Sequence, residues 1–320
     1  MNRGKSLDGI RHNVLPVLAA FIWGTAFVAQ DLASEHLGAF SVNFSRSFVA
    51  AIFLGVLALV VDLIRKRKAV RAGTWVELTA EEKKKGRKML LIAGGVCGTI
   101  LSLASVLQQA GIAISGAGKA GFLTALYVVI VPILGIFLKK HVPFEVWIAA
   151  IIAVCGLFLL CVKAGTGFKI SSGDLLLVAS ALAFSVQIMV IDHYSLHVDG
   201  IKLSCAQFAV ETIWCGIGML IFEHFTFAAL WACILPILYC GIMSSGIAYT
   251  LQIISQKGAN PAIVSILMSL ESVFATISAA VLLGDVLTFR EYIGGTLMFI
   301  AVVLSQVPAL IAKKKDDSVS

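Results

Sequence analysis

The amino-acid sequence predicts an all-α polytopic membrane protein whose ten transmembrane helices form two inverted repeats of five. The first observation is composition: 59% of the 320 residues are hydrophobic and 13% are charged, against about 45–50% and about 25% in soluble domains. The second is a series of ten apolar runs along the chain. The third is a similarity between the first five runs and the last five. A soluble globular protein is therefore excluded.

Each of the ten runs is long enough to cross a bilayer, which takes about 20 apolar residues in a helix. They leave only loops and tails, so no separate soluble catalytic domain is expected. The first run follows a basic stretch, but its length and its nine successors favour a transmembrane helix over a cleaved signal peptide. The runs cover residues 14–33, 40–63, 89–112, 118–138, 144–162, 174–192, 203–222, 230–254, 261–283 and 292–311.

The distribution of Lys and Arg predicts the orientation of these helices, because cytoplasmic loops collect basic residues. With a cytoplasmic N-terminus, most basic residues fall in inner segments. The outer segments then hold only Lys119, Lys163, Lys169 and Arg290. Both termini are therefore predicted to lie in the cytoplasm, with the protein in a bacterial cytoplasmic membrane.

One long connection, residues 65–88, carries a dense group of basic side chains. We interpret it as a loop that sets the topology, with binding to anionic headgroups or to a regulatory partner as the alternative. Within it, Thr79 and Glu82 have the spacing of a capping box. This spacing predicts that the third helix begins below the membrane.

The two halves of the chain resemble each other, which predicts one repeat over residues 1–163, a second over 174–312 and a cytoplasmic tail over 313–320. Five helices is an odd number, so the repeats enter the membrane from opposite sides, an arrangement that suits alternating access. One constant offset along the chain aligns the first two helices with the sixth and seventh, and a shorter offset aligns the fifth with the tenth. The aligned pairs include Trp23 with Phe184, Asp31 with Asp192, Arg46 with Gln207 and Phe144 with Phe289.

Three ionisable side chains within the predicted spans indicate function, because charged groups there cost about 2.5–3.5 kcal/mol on insertion scales. Glu271 lies near the middle of the ninth run. We interpret it as a proton-coupling carboxyl or an anchor for a cationic substrate group, with a hydrogen bond between helices as the alternative. Glu211 shares one helix face with Gln207 on the seventh run. Arg46, near the outer end of the second run, either has a structural role, by snorkelling or by pairing with a carboxyl, or binds substrate.

Polar and aromatic side chains at similar depth complete the predicted site. The alternative role of each is an interhelical hydrogen bond or a packing contact. Two polar stripes at helical spacing, Ser102 to Gln109 and Tyr249 to Gln256, either line a hydrated path or join helices. Glu271 is also the predicted coupling residue. The predicted substrate-binding residues are Trp23, Asn43, Arg46, Gln108, Tyr127, Gln187, Gln207, Glu211, Tyr249, Gln252 and Glu271.

Motifs for nucleotides, metals and nucleic acids are not supported. The segment Gly116 to Ala120 resembles a phosphate loop, but alanines replace its first glycine and its metal-binding hydroxyl. His193 and His197 are four residues apart without a third ligand, so we interpret them as part of an interfacial turn. The basic residues do not form a nucleic-acid-binding pattern. No cofactor or metal is expected, and the predicted partners are a small-molecule substrate and membrane lipids, with a proton as candidate coupling ion.

A series of short motifs runs through both halves of the chain: Ala20-Phe-Ile-Trp-Gly24, Arg46, Ser115 to Phe122, Leu126 to Pro132, Ala248 to Gln252, Leu270 to Ala275 and Gly284 to Thr288. In this order they resemble the EamA family of the drug/metabolite transporter superfamily over nearly the full length. The resemblance implies a ten-helix inverted repeat, a central substrate cavity, and export of metabolites such as amino acids in some members. Ser272 stands where the family often has proline, and Asp285 where glutamate is usual.

These observations predict a secondary transporter that exports small amphipathic metabolites, amino acids or related solutes among them, by alternating access around a central cavity. An integral-membrane enzyme acting on a lipid or lipid-linked substrate is the alternative, and it predicts a tight convergence of acid, base and nucleophile. A scaffold or receptor that transports nothing predicts no continuous polar cavity between the halves.

Overall fold

A computed structural model describes residues 10–161, 170–283 and 287–319, and no β-strand occurs in these ranges. The predicted all-α class is confirmed. Of the sequence motifs, Gly284 and Asp285 lie outside the described residues. The helices are α1 (Leu15–Ser34), α2 (Ala39–Arg71), α3 (Ala80–Thr124), α4 (Tyr127–Phe137), α5 (Phe144–Cys161), α6 (Ser172–Ser195), α7 (Gly200–Phe222), α8 (Phe227–Ala232), α9 (Ile234–Tyr239), α10 (Tyr249–Gln256), α11 (Pro261–Met268), α12 (Glu271–Leu283) and α13 (Phe289–Val319), with π-helical segments at Ile10–Val14 and Cys240–Ala248.

Eight helical stretches within the described residues are long and apolar enough to cross a membrane, by length and composition. The chain is therefore a multi-pass membrane protein. The fourth predicted run divides between the end of α3 and α4, and the 11 residues of α4 are too few to span a bilayer alone. The tenth predicted run lies within α13. The count of ten spans and the cytoplasmic position of both termini remain predictions.

The helix α3 begins where the sequence indicates and bends at Gly116. Thr79 Oγ1 accepts a hydrogen bond from the Glu82 amide at 3.2 Å, and Glu82 Oε2 accepts one from the Thr79 amide at 2.8 Å. The predicted capping box is confirmed, and α3 starts in the basic connection. At Gly116 the backbone has φ +79°, a left-handed conformation that glycine adopts without strain. This kink separates the third predicted run from the fourth.

Two helical segments tighten for one turn at equivalent places in the two halves. Between α3 and α4, the amides of Leu126 and Val128 donate to carbonyls three residues earlier rather than four. Between α11 and α12, the amides of Leu270 and Ser272 do the same. Placing Leu126 on Leu270 also places Val128 on Ser272, so this local geometry occurs once in each half of the chain. The internal repeat remains a prediction.

The ends of α2 and α7 contact each other in a second repeated arrangement. At one end, the Glu223 carboxylate accepts hydrogen bonds from the amides of Phe40 and Ser41, both at 2.8 Å, and caps the start of α2. At the other end, Lys202 at the start of α7 pairs with Asp62 of α2 at 2.7 Å. The alignment of the first two helices with the sixth and seventh sets Ser41 on Lys202 and Asp62 on Glu223. The helices α2 and α7 are therefore antiparallel, as inverted repeats require.

The start of α7 is fixed by its own cap. Asp199 Oδ1 accepts hydrogen bonds from the amides of Ile201 and Lys202 at 3.0 and 3.3 Å, and Asp199 Oδ2 pairs with Arg65 Nη1 at 2.7 Å. Burial alone raises the pKa of Asp199, but the hydrogen bonds from Arg65 and the two amides bring it below its usual value. The carboxylate is therefore ionised at neutral pH and completes the helix cap.

Close helix crossings fix how the helices are rotated about their axes. A Cβ atom on Gly24 of α1 would lie 2.6 Å from Phe274 Cβ and 2.7 Å from the Glu271 carbonyl oxygen on α12. A Cβ atom on Gly156 of α5 would lie 2.9 Å from the Gly294 carbonyl oxygen on α13. Only glycine permits these approaches. The main apolar core lies between these helices, with residues of α3, α4, α6 and α11 completing it.

Candidate functional site

A cavity of about 470 Å³, including its mouth, lies between helices of both halves. The wall combines aromatic, amide and charged side chains. The lining residues are Trp23, Phe27, Gln30, Arg46, Gln108, Thr124, Tyr127, Phe184, Gln187, Ile188, Ser244, Tyr249, Gln252, Met268 and Glu271.

The structure brings most of the predicted substrate-binding residues together at this cavity. Three of them, Asn43, Gln207 and Glu211, do not line it. The predicted residues that line the cavity are Trp23, Arg46, Gln108, Tyr127, Gln187, Tyr249, Gln252 and Glu271.

Several lining residues escaped the sequence prediction. Phe27 and Gln30 follow Trp23 at four and seven residues, so they share its face of α1. Thr124 and Met268 each lie three residues before a predicted residue, Tyr127 and Glu271. Helical periodicity and the depth of Gln30 were the signals that could have found them. The remaining missed residues are Phe184, Ile188 and Ser244.

A hydrogen bond between the two tightened turns forms the acidic part of the site. Tyr127 Oη donates to Glu271 Oε1 at 2.9 Å, and both side chains are buried. Each residue is the first of its helix after the tightened turn, so the bond joins equivalent positions of the two halves. Next to it, Ser272 Oγ donates to the Gly121 carbonyl oxygen at 2.9 Å. The serine that departs from the family pattern therefore joins α12 to α3.

The cationic part of the site is Arg46, which is only 2% exposed. Its Nη1 donates to Gln30 Oε1 at 2.9 Å, and its Nε donates to Ser245 Oγ at 3.0 Å. Both acceptors are neutral. Within the described residues, no carboxylate lies within 4 Å of the guanidinium. A buried guanidinium held by neutral groups is suited to binding an anionic group.

Aromatic rings and amides form the rest of the wall. The rings of Trp23 and Tyr249 meet edge to face with centroids 4.9 Å apart. Gln187 is fully buried, and neither its amide nitrogen nor its oxygen has a partner among the described residues; the same is true of Gln252 Oε1. Buried polar groups are normally hydrogen-bonded. These amides are therefore available to a polar ligand or to water.

The polar stripes divide between the two roles that the sequence left open. Tyr249 and Gln252 line the cavity. In contrast, Gln256 Nε2 donates to the Ile188 carbonyl oxygen at 3.1 Å, and Gln109 Nε2 donates to the Gln30 carbonyl oxygen at 3.0 Å. These last two glutamines join helices.

The three predicted residues outside the cavity lie at helix contacts. Asn43 Nδ2 donates to the carbonyl oxygens of Ala39 and Ser105 at 2.8 and 3.2 Å, which gives it a structural role. Gln207 and Glu211 are fully buried where α7 packs against α2 and α3. They form a separate polar cluster.

Comparisons with known proteins identify relatives of this chain. The sequence model of the EamA-like transporter family matches residues 12–162 and 171–306. The chain is 27% identical over 289 residues to an uncharacterized transporter of Archaeoglobus fulgidus, a match that covers 90% of this chain and 83% of that one. A solved crystal structure superimposes with a TM-score of 0.68 at 17% identity and covers 95% of this chain and 98% of its own. That likeness is one of fold alone.

Proposed function

We propose, from the premise that this chain belongs to the EamA-like transporter family, that it is a secondary transporter of a small amphipathic metabolite. The observation that carries the proposal is the cavity between the halves, which has a cation, Arg46, and a hydrogen-bonded acid, Glu271, in its wall. The predicted membership of this family is confirmed by the match over both halves.

The wall of the cavity supports a substrate with both charges and an apolar part. A carboxylate on the substrate is complementary to the guanidinium of Arg46, and an amino group to the carboxyl of Glu271. The rings of Trp23, Phe27 and Phe184 offer an apolar surface for the rest of the molecule. Amino acids and related zwitterions have this pattern of charges. We therefore propose them as the substrate class.

The proposed mechanism is alternating access by two inverted repeats, with both termini in the cytoplasm. The repeated tightened turns and the antiparallel pairing of α2 with α7 support it, because equivalent elements in the two halves can exchange conformations. Export is the direction that the resemblance implies. The proposed coupling group is Glu271, which lies at one of the tightened turns and contacts its equivalent residue, Tyr127.

The alternatives from the sequence are less well supported. A lipid-modifying enzyme calls for an acid, a base and a nucleophile in one pocket, whereas Glu271 is the only carboxyl among the described lining residues and its partner is a phenol. A scaffold calls for polar groups spread evenly among helix contacts. The concentration of polar groups around one cavity favours transport.

The test is a solute screen in proteoliposomes with an imposed proton gradient. We expect the parent protein to move at least one zwitterionic amphipathic solute in response to the gradient. Glu271→Gln is expected to slow this movement about tenfold or more and to remove its dependence on the gradient, because the amide cannot exchange a proton. Glu35→Gln, which changes an exposed glutamate, is the matched control and keeps the parent rate. Parent behaviour in Glu271→Gln would overturn the coupling role, and a screen without any transported solute would overturn the function.

A further inference from the structure

A second cluster of buried polar side chains lies behind the cavity wall, where α7 packs against α2 and α3. Glu211 is fully buried, and neither of its carboxylate oxygens has a hydrogen-bond partner among the described residues. Gln207, one turn earlier on α7, is equally buried, and both of its amide atoms lack a partner there as well. Buried polar groups are normally hydrogen-bonded, and ionisable groups at bilayer depth are costly, so this cluster is a candidate for a function.

Arg46 connects this carboxyl to the cavity. The residues that follow them on α2 and α7 are hydrogen-bonded, Thr212 Oγ1 to Ser47 Oγ at 3.0 Å, so Arg46 and Glu211 lie at the same contact of these two helices. Arg46 also lines the cavity, which Glu211 does not. The guanidinium donates to Gln30 Oε1 and Ser245 Oγ, which are neutral acceptors. Arg46 therefore faces the substrate site while a carboxyl lies behind it.

The surroundings of Glu211 leave two ways to neutralise an ionised carboxylate, a proton or the guanidinium. Among the groups that the structure describes around Glu211, only one is a cation. These groups are Arg46 on α2, the hydroxyl of Ser105 on α3, Cys215 on α7 itself, Tyr249 on α10, and Cys240 of the π-helical segment, which lies close to Arg46.

We propose that Glu211 takes up a proton from solvent water when Arg46 binds an anionic group of the substrate, and releases it when the substrate leaves. This inference rests on the proposed function, because it requires a carboxylate or a similar anion at Arg46. The anion competes with Glu211 for the guanidinium. A buried carboxylate that loses its counter-charge is more stable with a proton.

The arrangement of Arg46 fits one state of this cycle. Here the guanidinium is hydrogen-bonded to Gln30 and Ser245 and forms no ion pair with Glu211, so it is available to an anionic group in the cavity. Binding of the anion and binding of the proton favour each other, and linkage makes the effect reciprocal. The affinity for an anionic substrate therefore rises as the pH falls, independently of Glu271.

The test uses the full-length protein in lipid nanodiscs, with leucine as the probe and leucinol, which lacks the carboxylate, as its control. Calorimetric titration in two buffers of different protonation enthalpy measures the protons taken up per ligand. We expect leucine, but not leucinol, to bind with net proton uptake and with an affinity that falls about tenfold from about pH 6 to about pH 8. In Glu211→Gln, we expect leucine to bind without the proton uptake and the change of affinity with pH that Glu211 causes. The control Glu35→Gln is expected to behave as the parent.

A second measurement requires no ligand. Infrared difference spectra of the parent protein against Glu211→Gln isolate the band of the protonated Glu211 carboxyl. We expect Arg46→Gln to keep this band at higher pH than the parent does, because the counter-charge is gone. An unchanged band in Arg46→Gln, or parent-like pH dependence of leucine binding in Glu211→Gln, would overturn the inference. If no solute is transported or bound, the proposed function fails, while the infrared spectra still decide whether Arg46 controls the proton on Glu211.

Discussion

Single residues join the two halves of this protein at the proposed substrate site. The hydroxyl of Tyr127 and the carboxyl of Glu271 are hydrogen-bonded, and each lies directly after a tightened turn. When one partner of such a buried pair is removed, the other loses its hydrogen bond at a cost of about 1–3 kcal/mol. A substitution that breaks this hydrogen bond is therefore expected to affect both halves.

We expect Tyr127→Phe to slow solute movement in proteoliposomes about tenfold, because the variant keeps the ring but removes the donor to Glu271. The measurement is the initial rate of uptake or release. Tyr292→Phe removes a phenol that is 60% exposed and serves as the matched control. Equal rates in the two variants would show that the hydrogen bond has no role in transport.

At the scale of helices, the glycines of α3 decide which of its faces meets α7. A Cβ atom on Gly94 would lie 2.5 Å from Ala206 Cβ, and one on Gly98 would lie 2.5 Å from the Gln207 carbonyl oxygen. Further along this face, the Ser105 carbonyl oxygen accepts a hydrogen bond from Asn43 of α2 at 3.2 Å, while Gln108, three residues later, lines the cavity. The close contact of α3 with α7 therefore sets which polar residues of α3 reach the cavity.

We expect Gly94→Ala to lower the midpoint of thermal unfolding in detergent by several degrees, since overpacking costs about 1–3 kcal/mol. Its neighbour provides the control. A Cβ atom on Gly95 meets nothing within 4 Å, so Gly95→Ala is expected to leave the midpoint unchanged or to raise it slightly through better helix propensity. Similar midpoints for both variants would contradict the proposed packing role of Gly94.

At the scale of the whole molecule, the two predicted repeats differ in their ion pairs. Asp31 and Asp192 are equivalent in the alignment of the first helix with the sixth. Asp192, on α6, is buried and pairs with Lys140 just after α4. Asp31, on α1, is exposed and has no ion pair among the described residues. We interpret the Lys140–Asp192 pair as a contact that holds this end of the molecule closed.

We expect Asp192→Asn to favour opening at the Lys140 end. The measurement is labelling of Ile188→Cys by a membrane-impermeant maleimide added from that side, in a background without the native cysteines. Loss of a partly exposed ion pair is worth about 1 kcal/mol, which corresponds to about fivefold faster labelling. Asp31→Asn, the equivalent change in the other half, is expected to leave the rate unchanged. Equal effects of the two substitutions would contradict the closed state at Lys140.

The sequence by itself determined that the chain is a multi-pass helical membrane protein of this family, because apolar length, charge distribution and short motifs are local properties. It also indicated the capping box at Thr79 and most of the polar residues around the cavity. A polar side chain at bilayer depth is costly wherever it faces lipid. Residues such as Glu271 and Gln187 could therefore be identified as candidates from the sequence, without any knowledge of packing.

Only the tertiary structure decided which of those residues share one cavity. Gln207 and Glu211 lie as deep in the sequence pattern as Gln252, yet they face helices rather than the cavity. The reason is that the rotation of a helix about its axis is set by contacts such as that of Gly98 with α7, between residues distant in sequence. Hydropathy identifies the segments that lie in the membrane, whereas packing between helices determines the direction in which each side chain points.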